Sequence, residues 1–201
     1  MNDVDILKKI EKKVLWLACW MIHNANHIRE NQDGLKVGGH QASSASIVSI
    51  MTALYFNILR PEDRVAVKPH ASPVFHAIQY LSGLQTKEKI ENFRGFGGAQ
   101  SYPSRTKDID DVDISTGSVG LGVAMTSFIS LIQDYVARKN FYENKPLGRM
   151  IALVGDAELD EGNVYECLQE GWKHDLRNVW WIIDYNRQSL CLLYTSPSPR
   201  D

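Results

Sequence analysis

Two oxygen-bearing side chains, Asp156 and Asn186, stand thirty positions apart, each just past an apolar run, MIALV (150–154) and VWWIID (179–184). A carboxylate and an amide oxygen brought to one edge are hard ligands. They suit Mg²⁺, whose octahedron is usually completed by backbone, water and phosphate oxygens. The stretch around Asp156, GDAELDEGN (155–163), crowds five acidic or amide side chains into nine positions. Taken alone, Asp156 reads equally as a helix-capping aspartate. Glu158, Asp160 and Glu161 read as caps of the next helix or as solvent-facing groups, because negative charge favours a helix amino terminus. Earlier in the chain, TGSVGLG (116–122) precedes a long apolar stretch. Its glycines let backbone approach a ligand closely, and the following helix start can hold a diphosphate on free N–H groups. With such an anion beside it, the Asp156/Asn186 pair reads as part of a metal site. A nicotinamide-dinucleotide loop is the rival, but its glycine order is G-x-G-x-x-G, and Gly117, Gly120 and Gly122 run the other way. His40 and His70, also thirty apart, end the loop signals GGH and KPH and point to proton handling near neutral pH. His23, His27, His76 and His174 fall within helical patterns and read as face or core residues.

These residues need elements to hold them. Apolar positions at helical spacing predict an amphipathic helix over 4–30, and a second helix over 43–59 starting on Ser43 or Ser44. RVAVKPH (64–70) predicts a short strand, and 72–83 a helix with Pro73 in its first turn and Gly83 at its end. A polar connection, 84–111, is long enough to suggest a functional role. Then VDIS (112–115) predicts a strand, followed by the glycine loop and a helix over 123–139. The unit repeats as strand 150–154, acidic loop, helix and strand 179–184. Strands alternating with helices imply an α/β fold with a parallel sheet covered by helices on both faces. In such folds ligands sit at the carboxyl ends of strands, where every one of these stretches falls.

Composition bounds the function. The 201 residues are 44% hydrophobic and 23% charged with a formal net charge of −2. That balance suits a globular domain able to bury a core and gives no argument for nucleic acid or an anionic membrane surface. No window approaches a membrane span, and MNDVDILKKIEKK has no apolar signal core, so a cytoplasmic protein is expected. Cys19, Cys167 and Cys191 suggest neither a disulfide framework nor a zinc site. The last residues, CLLYTSPSPRD (191–201), break the pattern and match the translation of a sequencing-library transposon adapter. The native domain is therefore expected to occupy 1–190 and to be incomplete, with a non-native tail at 191–201.

The combination resembles a known family. GD followed by N at this spacing is similar to the thiamine diphosphate motif, usually written GDG…N. Residues 1–190 resemble the amino-terminal, diphosphate-binding domain of transketolase and of the homodimeric pyruvate dehydrogenase decarboxylating component. GGHQAS, QSYPSR, ELDEG and NRQSL resemble stretches of the dehydrogenase, whereas TGSVGLG and KPH resemble those of transketolases. The resemblance implies that Asp156 and Asn186 ligate Mg²⁺ by side chain, with the Gln188 carbonyl as a third ligand. It implies that Gly155, Gly120 and Leu121 approach thiamine diphosphate through backbone. His40, His70 and Tyr102 would line the diphosphate and substrate end, with Ser43 assisting. Three departures stand out: Ala157 replaces the second glycine of GDG, and Lys68 and Val119 stand where the dehydrogenase has an uncharged amide and a methionine.

The expected function is that of a thiamine-diphosphate- and Mg²⁺-dependent enzyme, the decarboxylating component of pyruvate dehydrogenase acting on a 2-oxo acid. The alternative is a transketolase moving a ketol unit between sugar phosphates. From other classes, a nicotinamide-dinucleotide oxidoreductase or a non-catalytic α/β binding module would fit the same strand–loop–helix unit. The resemblance further implies a small-molecule substrate, a homodimer in the full-length protein, a possible acyltransferase partner, and inactivity of these residues by themselves.

Overall fold

The run MIALVG forms β2 (Met150–Gly155), buried on both faces, which is why it lacks polar alternation. The computed structural model describes residues 2–30, 34–141 and 146–187; the expected Gln188 ligand and the tail at 191–201 lie outside them. β2 lies between β1 (Arg64–Ala66) and β3 (Val179–Asp184), and both pairings are parallel. The register sets Arg64 opposite Met150 and carries through to Gly155 opposite Asp184. Strand order in space therefore equals strand order in sequence, and the carboxyl ends emerge side by side.

Side-chain alternation along the strands feeds two cores. Val65, Val67, Ile151 and Leu153 pack with α1 (Asp3–His23), α3 (Val48–Ala53) and α4 (Ser72–Leu81). Ala66, Ala152 and Val154 face the other way, towards α6 (Leu121–Arg138) and α7 (Gly162–Lys173), through Val123 and Val164. The parallel sheet with helices on both faces is what forms. Among the described residues, no helix is long and apolar enough to cross a membrane.

Local physics shifts several boundaries. α1 is capped by Asn2, whose side chain accepts the Asp5 N–H at 2.9 Å, and widens into a π turn over Asn24–Ile28. The second predicted helix begins earlier, at Gln41, as α2 (Gln41–Ala45), without a side-chain cap from Ser43 or Ser44. It then resumes as α3 and a π turn, Leu54–Ile58. The connection over 84–111 contains a further helix, α5 (Lys87–Glu91), capped by Thr86. β1 is shorter than expected and turns at Pro69–Ala71 into α4. Residues 112–115 are not a strand. Asp113 Oδ2 accepts the Val65 N–H at 2.9 Å, so a side chain closes that edge of β1 while Val112 and Ile114 are buried as loop residues.

The amino ends of β1 and β2 are fastened by Asp63, whose buried carboxylate accepts the N–H groups of Arg60 and Arg149 and the Arg149 guanidinium. Burial opposes its charge, but the hydrogen bonds from Arg149 and Arg60 outweigh it and draw its pKa down to about 2. The folded pKa is depressed, so this contribution is full above the ordinary carboxylate range and is lost as pH falls towards 2. Asp63→Ala is expected to cost ~1–3 kcal/mol, since it strands buried donors. Urea unfolding at pH 7 and pH 3 checks this: the mutant's deficit should shrink at the lower pH.

Candidate functional site

The carboxyl ends of the three strands open on a cavity of about 440 Å³, lined among others by His40, Ser43, Lys68, His70, Gly155 and Asn186. Its floor is organised by Asp184, the last residue of β3. Asp184 is buried and its Oδ2 accepts Lys68 Nζ at 2.5 Å and Ser46 Oγ at 2.6 Å. Asn186 Nδ2 donates to Ser46 Oγ at 3.1 Å and points to Asp184 Oδ2 at 3.4 Å, which fixes the amide beside that carboxylate. Sequence reading singled out Lys68 as a departure but missed Asp184 and Ser46. The position of Asp184 at a strand's carboxyl end was an available signal; Ser46 had none.

Asp156 follows β2 and Asn186 lies two residues past β3, so the paired strands bring both to the same edge. Asp156 Oδ2 accepts the N–H of Arg187, next to Asn186, at 2.9 Å. Its Oδ1 is buried and has no hydrogen-bond partner among the described residues. A buried carboxylate oxygen without a donor is costly unless a cation meets it. The hard oxygen set and this orphaned atom fit a divalent ion such as Mg²⁺. Ala157, at φ values open to any residue as part of the 3₁₀ turn Asp156–Asp160, also lines the cavity.

Glu158 corrects the sequence reading. It neither faces solvent nor caps the helix that follows; it is buried, and it accepts Gly120 N–H at 2.7 Å and Gly155 N–H at 3.2 Å. Burial raises its pKa, against those two N–H groups and the nearby Lys68 charge. Gly120 has φ +79°, and a Cβ there would meet Asn163 Oδ1 at 2.5 Å, so only glycine fits. Leu121 N–H bonds Ser118 O at 3.2 Å, and the Leu121 side chain is exposed. The amides expected to approach a cofactor are thus held here by a carboxylate and by the loop's own turn. Asp160 and Glu161 are exposed, as expected.

His40 and His70 come together, with ring centroids 4.1 Å apart, and Tyr102 lies 6.2 Å from His70. Arg94, which sequence reading missed, lies 6.0 Å over the Tyr102 ring and donates to Val37 O at 2.8 Å. Burial first, then the charges of Arg94 and Lys68, lower the His40 pKa. Burial, then His40, Lys68 and Arg94, draw His70 down to about 4. Both imidazoles are therefore neutral at pH 7, able to accept a proton from a bound molecule rather than titrating near neutrality as expected. Because the unfolded histidine binds protons from its ordinary range downward, stability falls as pH drops from about 6.5 towards 4. NMR titration of the ring resonances should place His70 well below an ordinary histidine. Lys68→Met should raise it, since a cation is removed and Asp184 is left unpaired; an unchanged midpoint would contradict this electrostatic account.

Residues 37–191 match the family model described as transketolase, thiamine diphosphate binding domain. The pyruvate dehydrogenase E1 component of Mycolicibacterium smegmatis is 26% identical over 94% of this chain and 21% of that protein. Transketolase-like protein 2 of Mus musculus is 30% identical over 74% of this chain and 24% of that protein. In fold, a transketolase from Pichia stipitis superposes with a TM-score of 0.77 at 22% identity, covering 92% of this chain and 27% of that one. The chain thus spans roughly a fifth to a quarter of the length of these relatives.

Proposed function

The chain belongs to the transketolase thiamine diphosphate-binding domain family, and from that premise we propose that it forms part of a thiamine-diphosphate- and Mg²⁺-dependent enzyme. The observation that carries the metal is Asp156, whose buried, donorless Oδ1 stands at the strand edge shared with Asn186. The family match speaks against the nicotinamide-dinucleotide alternative and against a non-catalytic module.

Thiamine diphosphate, when bound, supplies a carbon nucleophile and an electron sink for cleaving the bond beside a substrate carbonyl. The chain's own groups position and exclude. Asp156 and Asn186 would hold the ion, with the Gln188 carbonyl proposed as a third ligand. Gly155, Gly120 and Leu121 would present backbone to the diphosphate, which requires Glu158 to yield the Gly120 and Gly155 amides or share them. His40 and His70, neutral and in contact, would accept or return a proton at their ring nitrogens, with Ser43 lining the cavity and the Tyr102 ring 6.2 Å from His70. Lys68 and Arg94 add positive charge, which suits an anionic substrate group.

The preferred reaction is decarboxylation of a 2-oxo acid, as the decarboxylating component of pyruvate dehydrogenase. It is supported by the dehydrogenase-like GGHQAS and QSYPSR stretches and by relatives of that name matching 94% of the chain. Ketol transfer between sugar phosphates is the second reading, favoured by Lys68 and the TGSVGLG loop. A homodimer is part of the proposal. It is supported by the exposed apolar side chains of α6 and α7, including Phe128, Ile132, Tyr135 and Trp172. An acyltransferase partner would accompany the dehydrogenase reading alone. A cytoplasmic location fits the free thiols of Cys19 and Cys167.

In an enzyme carrying this domain with the remainder of the family's chain, Asp156→Ala should weaken Mg²⁺-dependent thiamine diphosphate binding by at least about 10–100-fold, measured by calorimetry. Unchanged cofactor affinity would remove Asp156 from the metal site. The purified 201-residue chain should show neither decarboxylation nor ketol transfer, because it spans only about a quarter of its relatives' length and we propose that a second domain outside it completes the cofactor site. Turnover by that chain would refute the shared site.

A further inference from the structure

Helix α4 starts two residues after His70 and carries a fully buried histidine, His76. Both of its ring nitrogens face acceptors: Nδ1 lies 2.7 Å from Asp110 Oδ2, and Nε2 lies 3.0 Å from the Gln100 carbonyl oxygen. A neutral imidazole has one N–H to give. Two such contacts therefore require a second proton on the ring or one on Asp110. Burial opposes charge on the ring, but the Asp110 hydrogen bond and the Asp110 and Asp108 charges prevail and raise its pKa. Gln85 Nε2 donates to the same Asp110 oxygen at 2.8 Å.

The ligating atoms of His76, Asp108 and Asp110 lie within 4.8 Å of one another, the spacing of a metal cluster. Most of their ligating atoms are engaged elsewhere, although Asp110 Oδ1 is buried with no hydrogen-bond partner among the described residues. Asp108 Oδ1 accepts the Gln100 N–H at 2.9 Å and Oδ2 the Ser104 N–H at 2.8 Å, while both His76 nitrogens are engaged. The hydrogen bonds the cluster makes hold chain. What it holds is the segment around Tyr102. Gln100 is gripped at its N–H by Asp108 and at its carbonyl by His76. The Ser101 carbonyl accepts Ser72 Oγ from α4 at 2.6 Å, and the Pro103 carbonyl accepts Thr116 N–H at 3.3 Å.

We propose that the buried His76–Asp110 pair, with Asp108, is a positioning device: it fixes the Tyr102 segment against α4 and so holds the Tyr102 ring at its place beside His70. This rests on the reading of Tyr102 as a site residue, and the test separates the two. 3-Fluorotyrosine incorporated at position 102 of the full chain reports the ring's surroundings by ¹⁹F NMR. The unsubstituted chain should give one narrow resonance. His76→Phe keeps a ring and drops both hydrogen bonds, and Asp108→Asn sets an amide N–H against a backbone N–H; each should shift or split that resonance. His76→Gln, which can still donate to the Gln100 carbonyl, should return it towards its original position. Circular dichroism identifies the folded variants, and if His76→Phe does not fold, Asp108→Asn and His76→Gln decide. A resonance unmoved in the folded variants overturns the proposal. In the complete enzyme, His76→Phe should lower kcat about 10²-fold with little change in KM, as expected for a displaced catalytic group. Full turnover by Tyr102→Phe, with the resonance still displaced in Asp108→Asn, would remove the catalytic role of Tyr102 and leave the tether standing.

Discussion

Past the end of the sheet, three segments would each turn away from the others, and the ion pair from Lys68 Nζ to Asp184 Oδ2, 2.5 Å long and almost fully buried, draws them together. Lys68 lies two residues past the carboxyl end of β1 and Asp184 ends β3, so the pair spans the end of β2. The Lys68 aliphatic chain crosses Gly155, where a Cβ would stand 3.5 Å from Lys68 Cδ. Removing either partner would leave a lone charge in a poorly solvated place, which is far more costly than the net worth of the pair. Ser46 and Asn186 fasten onto the same carboxylate, so the α2–α3 turn and the residues after β3 inherit their positions from it. The metal pair and the two histidines stand on that frame.

Charge at the site is arranged so that each group suppresses the same sign in its neighbours. Burial first, reinforced by the charges of Lys68 and Arg94, keeps His40 and His70 neutral. Glu158 holds the amides of Gly120 and Gly155 as a diphosphate would, which makes the carboxylate a competitor for the proposed anion. Its raised pKa works against that competition, since a protonated Glu158 would remove negative charge from the place a phosphate needs.

Sequence reading succeeded where one strong period dominated. MIALV and VWWIID are continuous apolar runs and became β2 and β3, and the thirty-residue spacing of Asp156 with Asn186 became a shared edge because those strands are neighbours. His40 and His70 meet by another route, one before α2 and the other in the turn after β1. It failed where an equally apolar stretch was used differently. VDIS has a strand's composition, but Asp113 supplies the hydrogen bond that a neighbouring strand would have supplied. Glu158 read as a surface carboxylate because its partners, two glycine amides, leave no trace in residue type. Asp184 stood at a strand's carboxyl end, a signal that was passed over, and the α2–α3 break depends on the turn at Ser46 and Ile47 rather than on any helix breaker.

Helix α6 links the site to the proposed dimer. Its inner face is built from small or polar residues, Gly122, Ala124, Ser127 and Ser130, which allow close approach to the sheet. Its outer face exposes Met125, Phe128, Ile132 and Tyr135, a stripe at helical spacing. The same helix starts at Gly120, whose N–H is held by Glu158 beside the cavity. A surface that covers the outer stripe stabilises the helix by mass action, and anything bound at Gly120 does the same from the other end. Both contacts act through the same helix, and whatever fraction of the protein has α6 loosened is drawn back by either one, which is the condition for the two to be linked.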